Sequence, residues 1–513
     1  MKKIFSSKPV LIKALGVFIL SCSLLAGCLP VQITDNAIRP GKAGGIYHYK
    51  ITAKGGSGKF TFSLASGTLP LGVTMGTDGT IKGTVLSGAG DYPITVKVED
   101  KIFKSSMYKV EKNYTLKIDD TPYKWALIAH FAVDNNIDYE FEKQSGIITQ
   151  YLNTLEKIKA ADSNNVIQII VMMDAYNGDT KFSDGYYYLS GGAFASDKVV
   201  SLNEINSGSV DDNETFLDWA AAIYPSERYI YSIFNHGGGF DDSTRTGTLA
   251  IGIDETDKDS LTHYELGLLC NHLKSLTGKN ISIFYPFACL MGGVELAYEL
   301  SDSVDYMLFS EELFPAALFS YQGMESITTN PDITEKNLGI NVCDQAYKVL
   351  AGSSAASLRT DFTISLIDVS RMADLYSFIG SYASDAIADI NLNQAQAVYY
   401  NRAADNSYSM MEDYASSYDD FYYIDFGNYL SNIISEGNLP PNVRAKANQT
   451  LSVYDDMVVY ARNYNYPHTT GMTIFHNIWG AYHQYSPALY GHLLKMGASP
   501  WKDYIELLDS LKP

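Results

Sequence analysis

From about Lys124 the chain is punctuated by short, nearly unbroken apolar runs, each followed by polar residues at its end. Lys124 to Val133 leads into Asp134-Asn135-Asn136, Val166 to Met173 ends at Asp174, and Arg228 to Phe234 ends at Asn235-His236. Ile281 to Phe284 leads to Cys289, Tyr306 to Phe309 runs into Ser310-Glu311-Glu312, and Phe362 to Ile367 offers a sixth run. Strands that lack polar alternation are buried on both faces, as in sheets covered by helices. Helical spacing separates most of them, at Ile147 to Ala160, Thr215 to Ile223, Tyr264 to Leu276, Val294 to Leu300 and Asn341 to Ala351. Strand and helix in alternation predict an α/β domain of three αβα layers around a mainly parallel sheet.

Open sheets of this kind bind ligands beyond the carboxyl ends of their strands. His236 and Cys289 close consecutive strands, so the pattern brings both to one edge. His236 opens a His236-Gly237-Gly238-Gly239 stretch. Glycines there let a substrate approach, and their N–H groups can receive an oxyanion. Taken alone, it reads equally well as a loop histidine before a flexible turn. Cys289 precedes the helix at Val294 to Leu300, whose dipole favours a thiolate. A nearby imidazole would complete a nucleophile and a proton donor for a leaving amine. Taken alone, a buried structural cysteine is the commoner fate.

A different grammar precedes this domain. Residues from about 45 to 120 carry short strands at Tyr47 to Ala53, Phe60 to Leu64 and Tyr92 to Val98. Gly and Pro turns separate them, which predicts a small all-β sandwich. The stretch from Gly67 to Asp100 resembles an Ig-like module of bacterial surface proteins. Before it, Lys2, Lys3, Lys8 and Lys13 precede the apolar segment Ala14 to Ala26, too short for a permanent span. That segment ends in Leu25-Ala26-Gly27-Cys28, which resembles a lipobox. It implies a signal peptide over residues 1–27, a lipid on Cys28 and an exported, envelope-anchored chain. Residues 28–44 read as a linker, 121–380 as the α/β domain and 381–513 as a mixed, mostly helical extension of it.

Of five cysteines, Cys22 leaves with such a signal and Cys28 is lipidated. Cys270, Cys289 and Cys343 remain, an odd number in an oxidising compartment, which points to a reactive thiol. A net charge of −20 argues against nucleic-acid binding, which needs basic stripes.

The motifs together resemble the clostripain family, in the caspase-like clan. They are Trp125 through Asn136; His236 to Gly239; Gly252-Ile253-Asp254-Glu255-Thr256 with Ser260 to Leu266; Ala288-Cys289-Leu290-Met291-Gly292-Gly293 with Val294 to Leu300; and Ser310-Glu311-Glu312. A histidine about fifty residues before the cysteine is also the spacing of caspase-type peptidases. The resemblance implies a caspase-like fold and hydrolysis of protein or peptide substrates. Cys289 would be the nucleophile, His236 the general acid/base, and the amides of Gly237 and Cys289 the oxyanion hole. Internal cleavage between the two strands is common in the family; Arg245, Lys258, Lys274 and Lys279 are the basic positions there.

One departure bears on specificity. The family commonly places an Asp two residues before the cysteine to bind substrate Arg or Lys; this chain has Phe287. A phenyl ring cannot pair with a cation as a carboxylate does, so strict Arg/Lys cleavage is not expected. Glu311 and Glu312 are the candidate substitutes beside Phe287 in substrate binding. No cofactor is needed for the chemistry. The resemblance implies calcium, with Asp254 to Asp259 as a candidate stretch, although a solvated loop is its plainer reading; no metal ligand set is assigned. Two other readings stay open: a catalytically silent surface-binding module, and a thiol acyltransferase using the same pair.

Overall fold

The computed structural model describes residues 29–176, 181–238, 251–313, 321–352, 362–410, 423–466, 468–476 and 495–511. Cys28, Gly239 and Arg245 lie outside the described residues. The chain divides into two compact units, the larger opening at Tyr123.

In the first unit, Phe60–Gly67, Gly90–Asp100 and Lys109–Asp119 form antiparallel neighbours, with Gly41–Lys42 joined in parallel at the edge. Ile46–Lys50, Thr80–Thr84 and Val73–Met75 make a second sheet. Side chains alternate along a strand, so Ile94, Val96 and Val98 share one buried face. They join Leu116, Ile118, Ile51, Ile81 and Val85 in one apolar core.

The larger unit begins with β1 (Tyr123–Val133), α1 (Ile147–Ala161), β2 (Ile167–Ala175), β3 (Gly185–Tyr188), β4 (Lys198–Ser201), α2 (Val210–Ile223) and β5 (Ser226–Phe234). A β6–β7 hairpin (Ile251–Asp254, Asp259–Leu261), α3 (His263–Thr277), β8 (Ile281–Phe287), α4 (Val294–Glu299), β9 (Val304–Phe309), α5 (Glu335–Gly352) and β10 (Phe362–Asp368) follow. The last part holds α6 (Met372–Leu392), α7 (Ala397–Asp405), β11 (Tyr423–Asp425), α8 (Phe426–Ser435), α9 (Pro441–Met457), β12 (Val458–Tyr464), β13 (Thr473–Phe475) and α10 (Pro500–Ser510).

Nine strands form one sheet in the order β4-β3-β2-β1-β5-β8-β9-β10-β12. The central β2-β1-β5-β8-β9 are parallel; the outer pairings are antiparallel. Trp125, Leu127, Ala129, Phe131 and Val133 pack on one face with Ile148, Tyr151 and Leu155 of α1 and Leu338 and Val342 of α5. Helices α2, α3 and α4 pack in succession against one another. Helices thus flank a mostly parallel sheet, as the apolar runs require. A capping box of Thr262 and Glu265 opens α3, and Gly278, at φ 68°, closes it in the left-handed conformation.

The extension departs from expectation in one place. Asn442 to Asn463 reads as one amphipathic helix, but α9 stops at Met457 and β12 runs on from Val458. The run Val458-Val459-Tyr460 suits a pleated strand, and β10 offers it an unpaired edge to complete.

Candidate active site

β1 pairs with β2 on one side and β5 on the other. The chain runs outward from β1 through β2 to β4, then returns to β5 and proceeds to β8 and β9. The segments leaving β1 and β5 therefore part company, and the crevice between them is where ligands settle in such sheets.

Register fixes what stands there. Phe131, Phe234 and Phe287 form one row across β1, β5 and β8. His236 and Cys289 each follow that row by two residues. The backbones beyond it touch: a Cβ on Gly237 would lie 2.9 Å from the Cys289 amide nitrogen and overlap its carbonyl oxygen. Only glycine permits this approach. Leu290, next to the cysteine, holds φ at 58°. A bulky residue in that region costs about 1–3 kcal/mol and persists only where its surroundings enforce it. The Leu290 amide donates to the Glu312 carbonyl oxygen at 3.2 Å, and Gly292 accepts from the Thr473 amide at 2.9 Å.

His236 Nε2 stands 2.6 Å from Asn136 Oδ1. An amide oxygen only accepts, so Nε2 carries the proton and Nδ1 keeps the lone pair. The ring meets the Phe141 edge at 6.1 Å. Burial holds the imidazole below its ordinary pKa, with Glu255 opposing. Asn235 anchors this stretch: its Nδ2 donates to the carbonyls of Ala132 and Ile253, and its Oδ1 accepts from Ile253 N at 3.1 Å.

Of the three described cysteines, none of them in a disulfide, Cys270 and Cys343 are buried while Cys289 is partly exposed. Burial pushes the first two thiols up. The accessible sulfur is the one beside the histidine strand.

Phe287 is buried, with ring neighbours Tyr151, Tyr285, Phe234 and Tyr321 between 4.9 and 5.8 Å. Glu311 and Glu312 are also buried. Glu312 Oε1 accepts from the Tyr408 hydroxyl at 3.1 Å, and burial, with the charge of Asp425 adding to it, holds the Glu311 carboxyl well above the usual carboxylate range.

One constellation was not grouped by sequence. Oxygens of Asp134, Asp174, Glu204 and Asp254 lie within 4.8 Å of one another. Both Asp134 carboxylate oxygens and Asp174 Oδ1 are buried with no hydrogen-bond partner. Burial drives Asp174 up to about 9, Glu204 to about 7 and Asp254 to about 6, and neighbouring carboxylates add to each rise. Asp174 accepts from Ser207 Oγ, which meets His130 Nε2 at 2.9 Å. Asp134 and Asp174 had been legible as strand-end acids and Asp254 as part of an acidic stretch; Glu204 carried no signal.

The model of the Clostripain family matches residues 148–504, and an Ig-domain model matches residues 30–119. Clostripain of Hathewaya histolytica is 27% identical over 187 residues, 32% of this chain and 35% of that protein. The match thus spans about a third of that relative's length. An inactive zymogen C11 protease from Parabacteroides distasonis superposes with a TM-score of 0.50 at 15% identity, over 75% of this chain and 99% of that one. A secreted C11 cysteine protease from Bacteroides thetaiotaomicron gives 0.49 at 15% identity, over 75% and 99%. The parallel sheet, the strand-end histidine and cysteine, and a family match over most of its length agree: the chain belongs to the clostripain family of cysteine peptidases.

Proposed function

We propose that this protein is an envelope-anchored endopeptidase acting through Cys289 and His236. The observation that carries the reading is the approach of Gly237 to Cys289, which joins the histidine and cysteine turns at the crevice. The Cys289 thiol passes its proton to His236 Nδ1, its sulfur attacks the scissile carbonyl carbon, and the oxyanion is received by the Gly237 and Cys289 amides. His236, as imidazolium, donates its proton to the leaving amine as the C–N bond breaks. Water, deprotonated by the same ring, then cleaves the thioester and restores the thiol. The Asn136 contact supports this assignment, because it leaves Nδ1 as the nitrogen that exchanges protons.

The aromatic surroundings of Phe287 favour an apolar residue before the cut. A buried cation with no carboxylate partner would be strongly disfavoured. Incubated with a fluorogenic peptide library, the full chain should cleave after aromatic or aliphatic residues at least about tenfold faster than after Arg or Lys, given 1–3 kcal/mol per apolar pocket contact. Preference for Arg or Lys would refute the pocket reading. Absence of any cleavage, with Cys289 inert to a thiol probe in folded protein, would favour the silent binding module.

Cys28 is the proposed lipid attachment point, supported by its lipobox, and the Ig-like unit would space the peptidase from the membrane. No described helix is long and apolar enough to cross a bilayer.

Calcium is the cation the acidic cluster fits. Carboxylate oxygens gathered within 4.8 Å of one another fit the shell of a calcium ion, whose opposite ligands stand about 4.6–5.2 Å apart. Asp134, Asp174, Glu204 and Asp254 would hold it, and its charge would balance carboxylates that burial otherwise keeps protonated. The sign follows from the raised values. The folded, cation-free protein holds protons that the unfolded chain has lost, so its stability falls as pH rises from the ordinary carboxylate range towards about 9. In chelator, Tm should therefore drop between pH 5 and 8, two settings chosen to bracket the window set by these values. Calcium should reverse that drop, and Asp174→Asn should weaken the reversal. An unchanged Tm on adding calcium at pH 8 would count against the site.

A further inference from the structure

Inside the apolar run of β1 stands one fully buried histidine, His130. An imidazole taken out of water costs stability unless it is hydrogen-bonded. The ring points away from the apolar face of Leu127, Ala129 and Phe131, and its Nε2 meets Ser207 Oγ at 2.9 Å.

Ser207 engages every polar group it has. Its amide donates to Asp254 Oδ2 at 3.2 Å, its hydroxyl donates to Asp174 Oδ2, and its carbonyl accepts from Asn213 Nδ2 at 3.0 Å. One residue therefore grips two of the four clustered carboxylates, and Asp174 Oδ1 is left buried without a partner. A carboxylate that holds a cation only accepts, so the Ser207 proton points at Asp174 and the Ser207 oxygen accepts from His130 Nε2–H. The bonds run one way, from His130 to Ser207 to Asp174.

The turn that carries Ser207 is fixed independently of the cluster. Asn213, on α2, also donates to the Ser209 carbonyl at 2.8 Å, and Asn206 Nδ2 donates to Asp259 Oδ2 of β7 at 3.0 Å. Gly208 lies so close to β7 that a Cβ there would overlap the Ser260 amide nitrogen. Glu204, a third member of the cluster, stands three residues before Ser207 on the same segment.

We propose that Ser207 and His130 are positioning residues of the cation site, Ser207 orienting Asp174 and Asp254 toward the ion and His130 fixing the direction of the Ser207 hydroxyl. The inference rests on the calcium reading above and adds to it what holds the ligands before the ion arrives.

Isothermal titration of the full chain with calcium, at one near-neutral pH, compares wild type with Ser207→Ala, His130→Phe and the double variant. Ser207→Ala should raise the Kd about ten- to a hundredfold, the usual effect of removing a hydrogen bond that orients a metal ligand. His130→Phe keeps a ring of similar size without the N–H and should raise the Kd by less. Because His130 acts through the Ser207 hydroxyl, adding His130→Phe to Ser207→Ala should change the Kd by less than about twofold. Tm in chelator, with circular dichroism, reads folding apart from the ion: a merely structural role would lower that Tm and leave the Kd where it was. Losses that multiply in the double variant would overturn the chain of bonds. A Kd for Ser207→Ala within about twofold of wild type would overturn the holding role. If Ser207→Ala does not fold, an unchanged Kd in His130→Phe overturns the proposal instead. Absence of calcium uptake by the wild-type chain would overturn the cation site itself, a failure distinct from the others.

Discussion

Cys289→Ala should abolish peptide hydrolysis while leaving Tm almost unchanged. The side chain is small and partly exposed, so its loss opens no cavity of consequence. The proposed chemistry loses its nucleophile. In enzymes whose nucleophile and base act as a unit, removing either costs about a millionfold in kcat, and removing both costs little more. His236→Ala should therefore match Cys289→Ala, and the double variant should match each single one. Residual turnover in Cys289→Ala above about a thousandth of wild type would assign the chemistry elsewhere, since oxyanion donors alone supply only a small part of it.

The second large effect belongs to a residue that carries no functional group. Gly237→Ala places a methyl 2.9 Å from both the Cys289 amide nitrogen and the Ala288 Cβ. Relief requires the β5 and β8 ends to separate, and both proposed oxyanion donors lie on the moving segments. Loss of one such donor typically costs about 10²–10³ in kcat. Displacing two together should cost more, with KM little affected. Circular dichroism and Tm distinguish this from unfolding, because the sheet below the Phe131-Phe234-Phe287 row is unchanged. An alanine variant within tenfold of wild type would show that the turns do not meet as described.

How much of this was readable beforehand depended on distance along the chain. The parallel strands announced themselves because burial on both faces leaves an unbroken apolar run, as in Ile169 to Met173. His236 and Cys289 were visible because each ends such a run. The acidic cluster was not, because it is assembled from four separate segments and Glu204 follows β4, a short edge strand with no apolar run to mark it. The burial of Glu311 was hidden too: a glutamate taken into the interior looks like any surface glutamate in sequence. Phe287 showed an absent carboxylate, but not that four aromatic rings would close around its own.

The shared row of phenylalanines makes the proposed catalytic pair a matter of counting. Hydrogen bonds lock β5 against β8, so each reactive side chain is delivered by a two-residue stub measured from a common line. Substitutions along either strand can drift while those stubs keep their length. A single inserted residue in one stub would turn its side chain to the opposite face and separate the pair, however well the letters around it were preserved. Loops of any size can hang beyond the pair, so new specificities can be added there without retuning the reaction. What inheritance must protect here is less a motif than a ruler.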